Sequence, residues 1–143
     1  MTRTLFVATG LLVGSLLMSL PAFAAPSVPL PPEQTQGAVS YVSGGLGKEE
    51  AQAFKTAAKQ YPLSLEFEVK HAPHAEFTTN VHVMVKDAQG KSVLDTRSDG
   101  PFLLAKLPTG HYTVTAEQHG QTLTKTAEVV THKPVHLTFL WAK

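Results

Sequence analysis

Apolar and polar residues alternate with a period of two through most of the chain after Pro62. The clearest cases are LSLEFEVK (63–70) and NVHVMVK (80–86). Such alternation sends every second side chain to one face, as in a half-buried strand. Five further strands are predicted at 92–96, 102–107, 111–118, 121–130 and 135–141. Seven short strands separated by turn sequences predict an antiparallel β-sandwich over residues 62–143.

A single short amphipathic helix is predicted before the strands, over residues 48–61. The apolar positions at helical spacing are Ala51, Phe54, Ala58 and Tyr61. They fall on one face of a helix, and Pro62 disfavours helical geometry in the residue before it. We therefore expect this helix to pack on or beside the sandwich.

The segment between residues 25 and 47 is rich in proline and glycine and is predicted to be a leader. Its first part, residues 25–40, carries four prolines and little apolar periodicity, so we expect little packing there. Tyr41 lies outside any periodic segment and is expected to be exposed.

The first 24 residues have the pattern of a secretory signal peptide. Arg3 supplies the positive end, an apolar run follows, and AFA at residues 22–24 fits cleavage after Ala24. The apolar run is shorter than the roughly 20 residues that span a membrane. We therefore expect a periplasmic or secreted protein without stable membrane insertion after cleavage.

Composition narrows the functional classes further. Loss of Arg3 from twelve basic residues leaves eleven, which balance eleven acidic ones, so net charge does not favour nucleic-acid binding. The sequence contains no cysteine, which excludes disulfides, thiolate metal sites and cysteine nucleophiles. Because no Gly-x-Ser-x-Gly motif occurs either, we predict neither a catalytic residue nor a cofactor.

The stretch SGGLGKEEA at residues 43–51 looks like a phosphate-binding loop but lacks its requirements. A P-loop needs glycine where Val42 stands and Ser or Thr where Glu49 follows the lysine. The alternative is a flexible lead-in in which Gly47 is the helix N-cap and Glu49 and Glu50 interact with the free helix amides. A functional alternative makes Gly44, Gly45, Leu46 and Gly47 an exposed contact for a partner protein.

Histidine is frequent, with seven in the chain. His71 and His74 are spaced to chelate zinc or copper from a loop, which raises the hypothesis of a periplasmic metal-binding protein. The other interpretation is that all seven are ordinary strand and turn residues.

The segment SDGPFLLAKLPTGHYTVTAEQHGQTLTKTAEV contains Asp99, Gly100, Phe102, the LPTG turn at residues 107–110 and the alternation of Tyr112, Val114 and Ala116. On these residues the chain resembles the carboxypeptidase regulatory-like domain, from about Ser64 to Trp141. The resemblance implies a transthyretin-like sandwich with an immunoglobulin-like outline. It also implies an interaction module without catalytic residues. The glycine-centred first strand of that family is replaced here by LSLEFEVKHAPHAEF.

These observations lead to two functional hypotheses. The first is a non-enzymatic binding module that contacts another, unidentified protein of the bacterial envelope through the GGLG loop, the helix or an open sheet edge. The second is metal binding by surface histidines, with His71 and His74 as ligands.

Overall fold

The computed structural model describes Gly10, Gly14, residues 18–21 and residues 28–143. Most of the predicted signal peptide, with its cleavage position after Ala24, lies outside the described residues. Within the described part, no helix is both long and apolar enough to cross a membrane.

The described chain is mainly β, with ten strands and one short helix. The helix α1 spans Lys48–Ala57 and continues as a 3-10 turn at Ala58–Gln60. The strands are β1 (Gln34–Gln36), β2 (Val39–Gly44), β3 (Leu63–His71), β4 (His74–Phe77), β5 (His82–Lys86), β6 (Ser92–Arg97), β7 (Phe102–Lys106), β8 (Gly110–Gln118), β9 (Gln121–Val129) and β10 (Val135–Ala142).

The strands form two sheets that share one core. Sheet A has the order β1-β2-β7-β3-β10, with β4 also paired to β3, and sheet B has the order β6-β5-β8-β9. Side chains such as Leu65 and Phe67 from sheet A pack against Val83 and Val114 from sheet B, and all four are fully buried. This face-to-face arrangement confirms the predicted mainly β fold with two layers.

Two details of the predicted sandwich are wrong. All seven predicted strands occur, as β3 and β5 to β10, but β1, β2 and β4 bring the described total to ten. The sheets are also not wholly antiparallel, because β10 runs parallel to β3 from Val135 beside Leu63 to Ala142 beside Lys70. Alternation in a sequence predicts which face a side chain takes, whereas strand direction and partners depend on the whole topology.

The expectation of little packing in the leader is also wrong. Strands β1 and β2 lie within residues 25–47, and Val39 and Tyr41 belong to the shared core. The Tyr41 hydroxyl is hydrogen-bonded to Gln34 Oε1 at 3.0 Å and lies 3.3 Å from Thr96 Oγ1. The sequence predicts an exposed Tyr41 because VSYVSG lacks regular alternation of apolar and polar residues. The alternation is absent because β2 is buried on both faces.

Helix α1 covers part of the outer face of sheet A. Ala51 and Phe54 are buried as predicted, and the Phe54 ring stacks on Phe102 with 5.9 Å between centroids. Phe54 belongs to a second apolar cluster with Val42 and Leu104. Strands β2 and β7 are therefore buried on both faces, which accounts for the continuous apolar run FLLA in β7.

Glu33 connects the leader to the end of the helical segment and to β7. Its carboxylate lies 2.7 Å from Lys106 Nζ and accepts a 2.6 Å hydrogen bond from the Tyr61 hydroxyl. The hydrogen bonds from Lys106 and then Tyr61 hold the pKa of Glu33 below its usual range. Burial, followed by the hydrogen bond to Glu33, raises the pKa of Tyr61 to about 12.

The long edges of the two sheets meet at two seams. At the first seam, Gln36 Nε2 of β1 donates to the Asp95 carbonyl at 2.8 Å, and Gln36 Oε1 accepts the Asp95 N–H at 2.9 Å. The side-chain amide of Gln36 therefore pairs with β6 as a peptide group of a neighbouring strand would. At the second, Trp141 of β10 donates its indole N–H to the Gln121 carbonyl of β9 at 2.9 Å. Lys125, opposite Val114, places its ammonium 5.9 Å from the Phe139 ring centroid. Side chains thus cover backbone edges that would otherwise invite pairing with other chains.

Candidate partner-contact surface

The GGLG loop, residues 44–47, connects β2 to α1. Gly47 is the helix N-cap, as predicted, with φ of 91°, and its carbonyl accepts the Ala51 N–H at 2.9 Å. Gly44 and Gly45 are buried, whereas Leu46 and Gly47 are exposed. Of the four residues predicted to contact a partner, only Leu46 and Gly47 present surface to one.

Close packing holds this loop in one position. Gly45 has φ of +96°, and a Cβ added there would lie 2.4 Å from the Phe102 ring. A Cβ on Gly100 would lie 2.3 Å from the Gly44 carbonyl oxygen. Both approaches require the absence of a side chain, so the loop is fixed against β7 and the turn before it.

The carboxylate of Glu50 contacts the GGLG loop. Its Oε1 accepts the Gly45 N–H at 2.9 Å, so the carboxylate reaches back past the N-cap rather than remaining at the helix amides. Glu50 was predicted to interact with the free helix amides, and it interacts instead with the amide of Gly45 in the loop. A phosphate at this loop would meet a carboxylate that is already hydrogen-bonded.

A groove of about 430 Å³ lies between the GGLG loop, α1 and β4, and we call it the loop groove. Its lining consists of residues 45–48, Ala51, Gln52, Lys55, Phe77 and Pro101. Leu46 is 60% exposed and Phe77 is 45% exposed. Two large apolar side chains on the rim of one groove are typical of a surface that another molecule covers.

Phe77 projects from β4 on the outer face of sheet A, opposite Glu68 of β3. Its ring makes an edge contact with Phe102, with 5.2 Å between centroids. Lys55 Nζ lies 5.4 Å from the Phe77 centroid, within the range of a cation–π contact. Lys48 and Lys55 both line the groove and no Asp or Glu of the described residues does, which gives it a basic and apolar character.

His71 and His74 are brought together, as the metal hypothesis requires. They are directly opposite each other in the β3–β4 hairpin, so their side chains share one face. His71 Nε2 also lies 3.7 Å from Glu76 Oε2. Among the described residues, however, no group of three His, Cys, Asp or Glu side chains is arranged to hold a metal ion.

A larger groove, of about 690 Å³, lies on another side of α1. Residues 28–30 form one of its walls, and helix residues that include Gln52 and Thr56 form another. Residues 22–27, which adjoin that wall in the chain, lie outside the described part. The chain segments that line the loop groove adjoin only described residues, which makes it the better-defined candidate.

Ser64, His136 and Glu66 form an array that sequence reasoning missed. His136 Nδ1 lies 2.7 Å from Ser64 Oγ, and its Nε2 lies 3.0 Å from Glu66 Oε2. The order of groups resembles a catalytic triad, but Ser64 is only 2% exposed. A nucleophile must reach a substrate carbonyl, so the geometry favours a structural link between β3 and β10.

Glu68 extends this array along the outer face of β3. Burial, followed by the charge of Glu66, raises the pKa of the Glu68 carboxyl, while Lys55 and His136 act in the opposite direction. Alternation in the sequence placed these residues on the polar side of β3, but only the parallel register sets His136 beside Ser64. No sequence signal identified that pairing.

No protein-family model matches the chain, and a search of curated proteins also finds no match.

Proposed function

We propose that this protein is an exported, non-enzymatic binding module of the bacterial envelope, and that the loop groove is its contact surface for another protein. The observation that carries this proposal is the joint exposure of Leu46 and Phe77 on a rigid groove. A preorganised apolar surface loses little conformational entropy when it binds. The signal-peptide pattern of residues 1–24 supports export.

The transthyretin-like assignment belongs to the same proposal. Two packed sheets with most strands antiparallel suit such a domain, and the LPTG turn lies between β7 and β8. In a module of this type the sandwich provides a rigid frame and the loops provide the contacts. The loop groove fits that division of roles.

Site-specific photo-crosslinking in the cells that make the protein tests this proposal. Gln52 is exposed and lines both grooves, so a benzoylphenylalanine placed there should form an adduct with one discrete protein. Dependence of that adduct on Leu46, which lines the loop groove but not the larger one, assigns it to the loop groove. The matched control is Thr124, which is exposed on β9 of sheet B. Adducts of equal yield and identity at both positions, or none at Gln52, would refute the groove as a contact surface.

A pair of substitutions strengthens the same test. Leu46→Ser should abolish the adduct at Gln52, whereas Leu140→Ser should preserve it. Leu140 is 44% exposed but lies outside the groove, so it controls for the loss of exposed apolar surface in general.

A second candidate function is metal binding by His71 and His74, which the hairpin register favours. Zinc titration calorimetry on untagged protein tests it. Binding should disappear in a His71→Ala/His74→Ala variant and persist in a His111→Ala/His132→Ala variant. Equal zinc binding by both variants would exclude the hairpin as the site.

A further inference from the structure

We propose that the loop groove takes an extended peptide segment, which adds as a strand to the open edge of β4 and places an acidic side chain beside Lys55. This inference depends on the proposed function, because it specifies the partner chemistry of the same surface. It is carried by three observations: an unpaired strand edge, the side chains next to that edge, and the charge of the groove.

The first observation concerns the sheet edges. The β6 edge is covered by the Gln36 amide, and the β9 and β10 edges meet at the seam with Trp141 and Lys125. Strand β4 pairs with β3 along one side, and among the described residues no strand pairs with its other side. All four β4 residues are exposed. Strand β4 therefore has the accessible edge that strand addition requires.

The register shows which backbone groups are free. The Thr78 N–H donates to the Phe67 carbonyl at 3.0 Å, which places these residues in a hydrogen-bonded pair. Hydrogen-bonded pairs alternate along an antiparallel ladder, so Glu76 and His74 continue the bonding to β3. The N–H and C=O groups of Ala75 and Phe77 consequently point to the open edge, next to the loop groove.

The side chains beside this edge favour an apolar contact. Phe77 projects into the groove from β4 itself, and Leu46 is exposed on the groove rim. Side chains of an added strand alternate between its two faces, so every second residue of the peptide would face the groove. Apolar residues at those positions would cover Phe77 and Leu46, which are now exposed.

The positive charge of the groove favours a peptide that carries an acidic side chain. Lys55 lies over the Phe77 ring, and Lys48 lines the same groove. Glu50 of α1 is already bonded to the Gly45 N–H, and Glu76 belongs to the β4 residues that face away from Phe77. Glu68 lies opposite Phe77, but burial and the charge of Glu66 raise its pKa, so its ionised form is disfavoured. No described Asp or Glu lines the groove, so a carboxylate on the peptide would compete for Lys55 mainly with Glu68.

NMR titration of the 15N-labelled exported protein provides the test. The probe is a nine-residue acetylated and amidated peptide of alternating valine and threonine with a central aspartate. We expect its addition to shift the amide signals of Ala75, Phe77 and Leu46. A peptide with central lysine should bind roughly tenfold more weakly, because a like charge replaces an opposite one beside Lys55. N-methylation of the peptide on the pairing edge should abolish binding.

Two lysine variants separate the effect of the Lys55 charge from a general effect on the fold. Lys55→Gln should remove most of the preference for aspartate over lysine. Lys59→Gln should retain it, because Lys59 is exposed in the 3-10 turn after α1 and does not line the groove. Equal binding of both peptides, tolerance of N-methylation, or shifts confined to β6 or β9 would overturn the inference.

Failure of this inference can be distinguished from failure of the proposed function. If no peptide binds while the adduct at Gln52 persists and depends on Leu46, strand addition is wrong and the loop groove remains a contact surface for a folded partner. If the adduct at Gln52 is absent as well, the groove has no role in binding.

Discussion

Strand β7 of sheet A and strand β8 of sheet B contribute to the same core, yet their outer faces differ. Four of the five β7 residues are buried, whereas β8 buries every second residue along most of its length. The difference arises because α1 and its Phe54 cover the outer face of β7, while β8 has solvent there. Sheet A is thus an inner layer over part of its area, and sheet B is an outer layer throughout the described residues. The groove lies where the helix cover ends.

Loss of the contact between Phe54 of α1 and the outer face of β7 should have the largest effect on stability. We expect Phe54→Ala to lower the free energy of unfolding by about 3–5 kcal/mol, because Phe54 is fully buried against Phe102. Chemical denaturation measures the loss. Thr124→Ala on the exposed face of sheet B should change stability by less than about 0.5 kcal/mol. A loss below about 1 kcal/mol for Phe54→Ala would show that the helix is only loosely attached.

A glycine pair distinguishes the packed side of sheet A from an open turn of sheet B. Gly45 and Gly90 both have positive φ, of +96° and +81°. A Cβ at Gly45 meets the Phe102 ring, whereas one at Gly90 meets nothing within 4 Å. Gly45→Ala should therefore cost roughly 1–3 kcal/mol more than Gly90→Ala in thermal or chemical unfolding. Equal costs would mean that backbone conformation alone matters at Gly45.

The seam between β1 and β6 tests how the two sheets are joined. Gln36→Ala removes two hydrogen bonds to the Asp95 backbone, and we expect a loss of about 1 kcal/mol in unfolding free energy. Hydrogen exchange of the Asp95 amide should accelerate by more than that of other β6 amides. A uniform change across β6 would contradict a local role for the Gln36 side chain.

The smallest expected effect concerns the part of the sheet A outer face that α1 leaves uncovered. The pKa of Glu68 is raised above its ordinary value of 4.5, so its ionised form is less favourable in the folded protein than in the unfolded chain. Glu68→Gln should stabilise the protein at neutral pH, by less than about 1 kcal/mol. The gain should shrink as the pH falls toward and below 4.5, where the carboxyl is protonated. Denaturation curves measured across that range provide the check, and a gain independent of pH would contradict it.

The sequence predicted well which face of a strand or helix a side chain takes, but it predicted poorly which elements and residues lie next to each other. Phe67 and Val83 followed from alternation, and Phe54 followed from helical spacing. Tyr41 did not, because a strand buried on both faces loses the alternation that would mark it. The groove needed Phe77, which lies in an exposed four-residue strand without a periodic signal. The sequence indicates the GGLG loop as a candidate contact, but the rigidity of the loop depends on Phe102 and Gly100, more than 50 residues away in the chain.

The parallel pairing of β3 with β10 has a consequence for how the chain acquires its fold. Ser64 and His136, neighbours in the finished sheet, are separated by 72 residues. As the chain leaves the ribosome, β3 emerges long before β10, and all of sheet B is synthesised between them. Closing so long a loop is slow, and a strand waiting with an open edge is prone to aggregation. Sheet A can be completed only after β10 has been synthesised, so a chain cut between β3 and β10 would lack the strand that completes it.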